Sequence, residues 1–317
     1  MRAAILHGAH DFRIEELPTP TLKEDECLLR VKSCGVCHSE IHQWNENING
    51  LEYPRFIGHE TAGEIIAVGS AVTKFKVGDR AASWVDGKGY AEELAVKESR
   101  LFKMSEELPY DLAILEPVAC TTNGVMKANI QLGDTVALAG TGFMGLILLQ
   151  QIKLTGASKV IALDIRDEML ELAKELGADV VINPMKEDYK KIINDLTEGK
   201  GVDVSFEIGG VQSTLDLAAD ILRMEGKLVI FGYHPGERKI KDLGYWNWMA
   251  FDIINAHFRN LDTILLGSRI GMKLMNENKI NMKPLITHKF KLTEIEEAFK
   301  VAKDKPKGFV KSVIVFE

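Results

Sequence analysis

The segment Val136-Ala137-Leu138-Ala139-Gly140-Thr141-Gly142-Phe143-Met144-Gly145 decides how the second half of the chain folds. Its first four residues are apolar, as in a buried strand, and residues 146–152 continue as an apolar helical pattern. Between them the glycines permit a tight turn, and a helix N-terminus presents free N–H groups to a pyrophosphate. A purely structural glycine-rich turn is the alternative, and the motif by itself does not exclude it.

The next apolar run, residues 159–163, ends in Asp164, 24 residues after Gly140. This context favours a dinucleotide site, because a carboxylate at that point can accept hydrogen bonds from the adenosine ribose. A 2′-phosphate would be repelled by the same carboxylate, so the sequence predicts NAD rather than NADP. Arg166 weakens this preference without reversing it.

Further apolar runs follow at residues 180–182, 202–206 and 227–231, and helical patterns separate them. One such pattern, residues 167–176, has leucines at helical spacing and is stopped by Gly177. Strands that are apolar throughout and alternate with helices predict a parallel sheet covered on both faces.

The first part of the chain has a different character. Short β-rich runs, such as residues 27–31 and 64–68, are separated by Gly-Asp and Pro turns, which is typical of an irregular all-β barrel. The tail, residues 285–317, returns to strand-like pieces, and we expect it to fold back onto the first domain. The predicted fold class is therefore α/β, with residues 1–122 and 268–317 in one domain and residues 123–267 in the other.

The composition excludes several functional classes. The 317 residues carry a formal net charge of −7, and neither sign is concentrated in blocks. We therefore expect neither a nucleic-acid partner nor a membrane surface. Residues 135–152 are the longest charge-free stretch of note, but their glycines and glutamines do not suit a bilayer span. The N-terminus reaches Arg2 and His7 too early for a secretory signal, which predicts a cytoplasmic protein.

Potential metal ligands cluster in Cys34-Gly35-Val36-Cys37-His38-Ser39-Glu40-Ile41-His42 and in Gly58-His59-Glu60. Thiolate, imidazole and carboxylate are zinc ligands, and a catalytic site uses three of them while one position stays open. The C-x-x-C of Cys34 and Cys37 has no second pair, so a structural site of two such pairs is excluded. Four cysteines are also too few for a disulfide framework. For any one residue taken singly, a buried cysteine or a surface histidine is the alternative.

Residues 35–39 and 58–72 resemble the first-ligand motif and the zinc signature of the zinc-containing medium-chain alcohol and polyol dehydrogenases. Residues 284–288 resemble a segment near that family's C-terminus, and the likeness covers essentially the whole chain. The resemblance implies a GroES-like irregular β-barrel catalytic domain and a Rossmann nucleotide-binding domain with a doubly wound parallel sheet.

The resemblance also implies a metal site. Cys37 and His59 would be catalytic zinc ligands, Glu60 a ligand or a neighbour of the metal, and Glu40 the carboxylate that orients His59. Residues 80–90 pass directly across the region where the alcohol dehydrogenases carry four clustered cysteines, so we expect no structural zinc.

The third ligand of those enzymes is a cysteine, and 24 residues before Gly140 this chain has Glu116. Glu116 and the proline that follows it resemble the sorbitol and glucose dehydrogenase branch, in which the carboxylate binds zinc or its water. Glu116 is therefore the preferred third ligand, and Cys120 is the competitor.

Other positions of the family concern the proton and the nucleotide. Ser39 and His42 occupy the proton-relay positions, with the nicotinamide ribose hydroxyl between them. His38 falls at the position of a cationic or hydrogen-bonding partner of the pyrophosphate. Phe231-Gly232-Tyr233 and Leu266-Gly267-Ser268 resemble segments that line the nicotinamide, although both could be ordinary strand ends.

The predicted function is zinc-assisted hydride transfer between NAD and a secondary alcohol that is a polyol or a sugar-like compound. The aromatic and polar residues 245–257 could reach the substrate, or could form a packing or dimer-contact helix. Residues 263–266 read as an edge strand, which predicts a homodimer, or a homotetramer built from it. A plain alcohol dehydrogenase, a zinc-free quinone or enone reductase and a thiol sensor are the alternatives.

Overall fold

The computed structural model describes residues 1–46 and 51–317, which form two compact units. One unit comprises Met1–Ala119 and Leu265–Glu317, and the other comprises Cys120–Ile264. The sequence predicts domain borders close to these, at residues 122/123 and 267/268. Among the described residues, no helix is both long enough and apolar enough to cross a membrane.

The first 119 residues are rich in strands. The antiparallel pairing of β3 with β4 places Gly35 opposite Glu60, and this register positions much of the metal site described below. Buried side chains such as Leu29 and Ile65 fix the register, because a slip by one residue would turn them to the other face. The elements are β1 (Arg2–Leu6), β2 (Phe12–Glu16), β3 (Glu26–Gly35), α1 (His38–Asn45), β4 (Glu60–Val68), β5 (Arg80–Ser83), β6 (Glu93–Lys97) and β7 (Leu101–Lys103). Helix α2 (Leu115–Ala128) begins in this unit and continues past its border at Ala119.

The second unit contains a six-stranded parallel sheet with helices in the connections. Its strand order is β10-β9-β8-β11-β12-β13, and the predicted parallel α/β fold is confirmed. In the central strand β8, the four residues after Thr135 are apolar and buried. The elements are β8 (Thr135–Ala139), α3 (Phe143–Ile152), β9 (Lys159–Leu163), α4 (Asp167–Glu175), β10 (Val180–Ile182), α5 (Tyr189–Leu196), β11 (Val202–Glu207), α6 (Gln212–Asp220), β12 (Leu222–Ile230), α7 (Leu243–Trp248) and β13 (Asp252–Asn255).

The tail returns to the first unit, as the sequence predicts. It contains α8 (Leu261–Asn276), β14 (His288–Lys291), α9 (Ile295–Asp304) and β15 (Ser312–Val315). Strand β15 pairs antiparallel with β3, which places Val313 opposite Gly35. The resulting seven-stranded sheet has the order β14-β15-β3-β4-β5-β7, with β6 also paired to β3. Phe299 of α9 is fully buried and packs against Tyr90.

The predicted edge strand at residues 263–266 is wrong, because these residues lie in helix α8. A short run of Thr, Ile and Leu looks like a strand locally. However, the buried residues of α8 recur at helical spacing, at Gly267, Gly271 and Met275. The sixth strand of the sheet is instead β13, which pairs in parallel with β12.

Residues 245–257 divide between α7, β13 and their connection. Trp246 is 7% exposed and packs against Phe251, so the packing alternative is correct for these two residues. Trp248 is 75% exposed and does not belong to the core. The segment is therefore neither one packing helix nor an insertion outside the sheet.

Candidate metal and nucleotide sites

Three side chains of the first unit form a candidate metal site. Cys37 directly precedes α1, His59 directly precedes β4, and Glu60 begins β4. Their potential ligand atoms, one sulfur, one nitrogen and one oxygen, all lie within 4.8 Å of one another. The structure thus brings together the three residues that the sequence selects from two separate motifs.

Glu40 orients the imidazole of His59. Its Oε1 lies 2.8 Å from His59 Nδ1 and accepts a hydrogen bond of 2.6 Å from the Gly58 N–H. The Tyr90 hydroxyl donates to its Oε2 at 2.7 Å. Because Nδ1 is engaged by Glu40, Nε2 is the nitrogen left for a metal, as in carboxylate–histidine–metal arrangements.

The electrostatics of this pair suit a bound cation. Burial alone would raise the pKa of Glu40, but His59, Tyr90 and the Gly58 N–H outweigh it, and the pKa is lowered. Burial alone would lower the pKa of His59, yet Glu40 and Cys37 raise it well above its usual value. The second proton of His59 is therefore tightly held next to Cys37, and a metal ion would take its place.

Glu60 is 1% exposed and is held by a buried lysine that the sequence analysis misses. Lys311 Nζ lies 2.8 Å from Glu60 Oε1 and 2.7 Å from Oε2. A Cβ atom at position 35 would lie 1.9 Å from Glu60 Oε2, so Gly35 is required by this carboxylate. Lys311 lies far away in sequence and belongs to no ligand motif, so only the pairing of β15 with β3 could reveal it.

Glu116 is the second residue of α2 and is not among the three clustered ligands. Its charge nevertheless acts on Lys311, which contacts Glu60. Burial lowers the pKa of Lys311, while Glu60, Cys37 and Glu116 raise it, and the net pKa is raised. Whether Glu116 or Cys120 completes a metal shell stays a prediction.

The α1 residues assigned to proton and pyrophosphate chemistry lie beside the metal cluster. Ser39 Oγ lies 3.2 Å from Cys37 Sγ. The rings of His38 and His42 meet edge to face, with centroids 5.0 Å apart. Although part of the side chain is exposed, burial of the ring and the nearby Lys305 lower the pKa of His38 to about 4. His38 is therefore neutral near pH 7 and suits the hydrogen-bonding role, not the cationic one.

The glycine-rich loop of the second unit joins β8 to α3. Gly140 adopts a φ of +112°, which favours glycine. A Cβ atom at Gly145 would lie 2.2 Å from the Gly140 carbonyl oxygen, so this glycine is needed for close packing of the helix on the loop. At Gly142 a Cβ atom would meet only Arg166 Nη2, at 3.8 Å. The fold itself does not require Gly142, which fits a role in letting a ligand approach the backbone.

Asp164 stabilises the glycine-rich loop through hydrogen bonds. Its Oδ2 accepts a hydrogen bond of 2.8 Å from the Thr141 N–H, and its Oδ1 accepts one of 3.0 Å from the Arg166 N–H. The Arg166 Nε lies 3.8 Å from Oδ1. The carboxylate predicted to bind ribose therefore also positions the loop, a function that the sequence spacing does not reveal.

A buried polar network, which the sequence analysis misses, holds the loop after β12. Glu207 is fully buried and accepts hydrogen bonds from the Gly210 N–H at 2.7 Å and from His234 Nε2 at 2.6 Å. Arg238 Nε donates to His234 Nδ1, so the imidazole hydrogen lies on Nε2. The Phe231 and Gly232 N–H groups donate to the Glu207 carbonyl. Residues 231–233, which the resemblance assigns to the nicotinamide, are thereby fixed to the end of β11.

The other segment assigned to the nicotinamide, residues 266–268, is not a strand end. Leu266 lies within α8, where it is 39% exposed. The alternative of an ordinary strand end is therefore wrong for this segment, and its assignment to the nicotinamide stays a prediction.

Known proteins resemble this chain along its length. Residues 144–260 match the family described as zinc-binding dehydrogenase, and residues 23–106 match the alcohol dehydrogenase GroES-like domain. Sorbitol dehydrogenase from Bacillus subtilis is 30% identical over 95% of this chain and 93% of its own length. L-Threonine 3-dehydrogenase from Pyrococcus abyssi is 30% identical over 92% of each chain. The crystal structure of 2R,3R-butanediol dehydrogenase from Bacillus subtilis has a TM-score of 0.86 and 27% identity, covering 100% of this chain and 99% of that one.

A thiolate–imidazole–carboxylate cluster in a GroES-like unit and a glycine-rich loop in a parallel-sheet unit define an oxidoreductase of the dehydrogenase class. The chain belongs to the zinc-containing medium-chain dehydrogenase family, which confirms the resemblance seen in residues 35–39 and 58–72.

Proposed function

We propose that this chain is a zinc-dependent dehydrogenase that transfers hydride between NAD and a secondary alcohol that is a polyol or sugar-like compound. The observation that carries the proposal is the cluster of Cys37, His59 and Glu60, in which Glu40 already fixes the imidazole. A zinc-free quinone or enone reductase would have no use for this donor set. Family membership supports the oxidoreductase chemistry.

The chain's own residues have separate tasks in this reaction. Cys37, His59 and Glu60 would hold the zinc ion, which supplies Lewis-acid stabilisation of the substrate oxygen when it is bound. Glu40 keeps His59 in the ligating tautomer. Ser39 and His42 are proposed to carry the substrate proton to solvent.

The nucleotide is proposed to bind at the loop of the second unit. The N-terminus of α3 offers backbone N–H groups to the pyrophosphate, and Gly142 leaves room for its approach. Asp164 would accept hydrogen bonds from the ribose and disfavour a 2′-phosphate. The nearby Arg166 guanidinium favours NADP, because it could pair with a 2′-phosphate. The choice of NAD therefore depends on whether the Asp164 carboxylate or the Arg166 guanidinium faces the ribose.

The substrate class is supported by the Glu116-Pro117 sequence and by the similarity to a sorbitol dehydrogenase. A relative of equal identity is a threonine dehydrogenase, so an amino alcohol is a second candidate. A site that hydrogen-bonds several hydroxyl groups rejects substrates that lack them, because its own polar groups would stay unpaired. We therefore expect ethanol to be a poor substrate.

Two measurements test the proposal together. Metal analysis of the purified protein is expected to find about one zinc per chain, as the family's catalytic site requires. A panel of polyols, sugars, L-threonine and simple alcohols, each with NAD and NADP, is expected to give the highest kcat/KM for a polyol or sugar with NAD. Absence of zinc would support the reductase alternative. A higher kcat/KM for ethanol than for every polyol and sugar would support a plain alcohol dehydrogenase.

The edge strand predicted at residues 263–266 is a helix, so the proposed homodimer requires another edge strand. Strand β13 lies at the end of the sheet order, and Ile253 on it is 50% exposed. An edge strand of this kind can pair with a copy of itself. Light scattering is expected to give twice the 35.3 kDa mass of one chain, or four times for a tetramer, and a monomer alone would remove the idea. The cytoplasmic location stays a prediction.

A further inference from the structure

A groove of about 530 Å³ lies between β7 and the C-terminal half of α8, and both of these walls belong to the first unit. Sites for small molecules have volumes of about 300–1,000 Å³, so the groove is large enough for one. Asn276 joins the two walls, because its Oδ1 accepts a hydrogen bond from the Ser105 N–H at 2.8 Å and its Nδ2 donates to the Lys103 carbonyl at 3.0 Å. The groove is therefore built into the fold of this unit.

Three buried apolar side chains contribute to the lining of the groove. They are Phe75, Leu101 and Met272, and each is 9% exposed or less. Covering apolar surface with an apolar ligand is favourable, because it removes that surface from water. A ligand that suits this groove therefore has a hydrocarbon or aromatic part.

Four exposed cationic side chains also line the groove, namely Lys74, Lys103, Arg269 and Lys273. Two of the four are paired with carboxylates. Lys103 lies 3.1 Å from Asp79, and Lys273 lies 3.8 Å from Glu277. The charges of these two lysines are thus compensated within the protein.

The other acidic residue of the lining, Glu98, compensates a third cation. The Lys74 and Thr73 N–H groups donate to its carboxylate, and these hydrogen bonds and the Lys74 charge lower the pKa of Glu98. Within the described part of the chain, no acidic side chain pairs with Arg269. Arg269 therefore carries the one charge of the groove without a counter-charge, and a guanidinium binds a carboxylate well because it can donate two parallel hydrogen bonds.

We propose that this groove binds a small monoanion with an apolar body, of the class of medium-chain or aromatic carboxylates. The carboxylate pairs with Arg269, while the apolar body covers Phe75, Leu101 and Met272. None of the residues proposed to bind zinc or the nucleotide lines the groove. The groove is therefore a second ligand site, and its existence does not depend on the proposed function.

The experiment measures the Kd of octanoate by isothermal titration calorimetry at constant ionic strength. Octanamide is the matched ligand without a charge, and inorganic phosphate is an anion without an apolar body. Arg269→Gln removes the charge of an exposed side chain, and Arg269→Lys keeps it. The control variant is Lys279→Gln, which removes an exposed lysine that follows α8 and does not line the groove.

We expect the wild type to bind octanoate about tenfold or more tightly than octanamide, the scale of a charge-assisted hydrogen bond. Arg269→Gln should lose about the same factor for octanoate, and Arg269→Lys should lose less because the charge remains. Lys279→Gln should bind like the wild type, and phosphate should bind more weakly than octanoate. Zinc content and turnover should be normal in all three variants.

A carboxylate can also bind a zinc ion, so the Cys37→Ser variant is titrated as well. It should bind octanoate like the wild type. Loss of octanoate binding in Cys37→Ser, with normal binding in Arg269→Gln, would assign octanoate to the metal cluster and overturn the inference while leaving the proposed function intact. Octanoate binding that depends on Arg269 in a protein without zinc would support the inference although the proposed function had failed.

Two further results would overturn the inference. Phosphate that binds as tightly as octanoate would show that the apolar side chains contribute nothing. A smaller mass of Arg269→Gln than of the wild type in light scattering would show that a second copy of the chain, and not a small anion, occupies the groove.

Discussion

The metal cluster and the glycine-rich loop differ in whether side chains or backbone groups are proposed to contact the bound group. In the cluster, the potential metal ligands are the side chains of Cys37, His59 and Glu60, and Lys311 contacts Glu60 from near the C-terminus. In the loop, the groups proposed to bind the nucleotide are backbone N–H groups, and Gly142 and Gly145 matter because they carry no side chain. The cluster should therefore be sensitive to the loss of single side chains, and the loop to the addition of single side-chain atoms.

The largest effect is expected for Cys37→Ser. This variant should lose its zinc and all measurable turnover while it stays folded, because the buried cores of both units do not depend on the thiolate. Zinc content, turnover and circular dichroism measure the three properties. Cys120→Ser is the matched variant, and we expect it to keep zinc and activity. Turnover by zinc-depleted Cys37→Ser protein would contradict the prediction.

Two glycine variants test the loop by the addition of atoms. In Gly145→Val the new side chain would collide with the Gly140 carbonyl, so we expect a loss of about 1–3 kcal/mol in the free energy of unfolding, together with weak NAD binding. In Gly142→Ala the added methyl group meets only Arg166 at ordinary contact distance, so the stability should not change.

Gly142→Ala should nevertheless bind NAD more weakly, since the methyl group would stand where the pyrophosphate approaches. Thermal unfolding without nucleotide and NAD titration separate the two properties, and zinc content should be normal in both variants. The comparison fails if Gly142→Ala binds NAD like the wild type, or unfolds as easily as Gly145→Val.

The smallest effect is expected for Asp164→Ser. Removing the carboxylate should shift the preference toward NADP by about 1–3 kcal/mol in the ratio of kcat/KM values, the scale of charge-assisted hydrogen bonds. Asp164→Asn is the matched variant, because its amide oxygen can still accept from the Thr141 N–H. A shift in both variants assigns the effect to charge, and a shift in Asp164→Ser alone assigns it to the loop. A wild type that already prefers NADP would show that Arg166 governs the pocket.

The sequence predicts local features well wherever adjacent residues decide them. The strand, turn and helix of residues 135–152 follow from an apolar run and three glycines, and the structure has β8 and α3 there. Local pattern fails at residues 263–266, because Thr, Ile and two Leu look like a strand by themselves and only the helical spacing of the residues that follow indicates α8. Strand β13, with Asp252 and Asn255 at its ends, lacks that local signal and is identified only by its pairing with β12.

The sequence by itself determined the family, the two kinds of unit, and the cluster of Cys37, His59 and Glu60 with its orienting Glu40, because these residues lie in short motifs. Only the tertiary structure revealed Lys311 against Glu60, Tyr90 against Glu40 and the network of Glu207 with His234. No sequence motif specifies how many residues separate each of these partners from its carboxylate. The need to neutralise or hydrogen-bond a buried carboxylate is predictable, but the residue that meets this need depends on which strands and loops pack beside it.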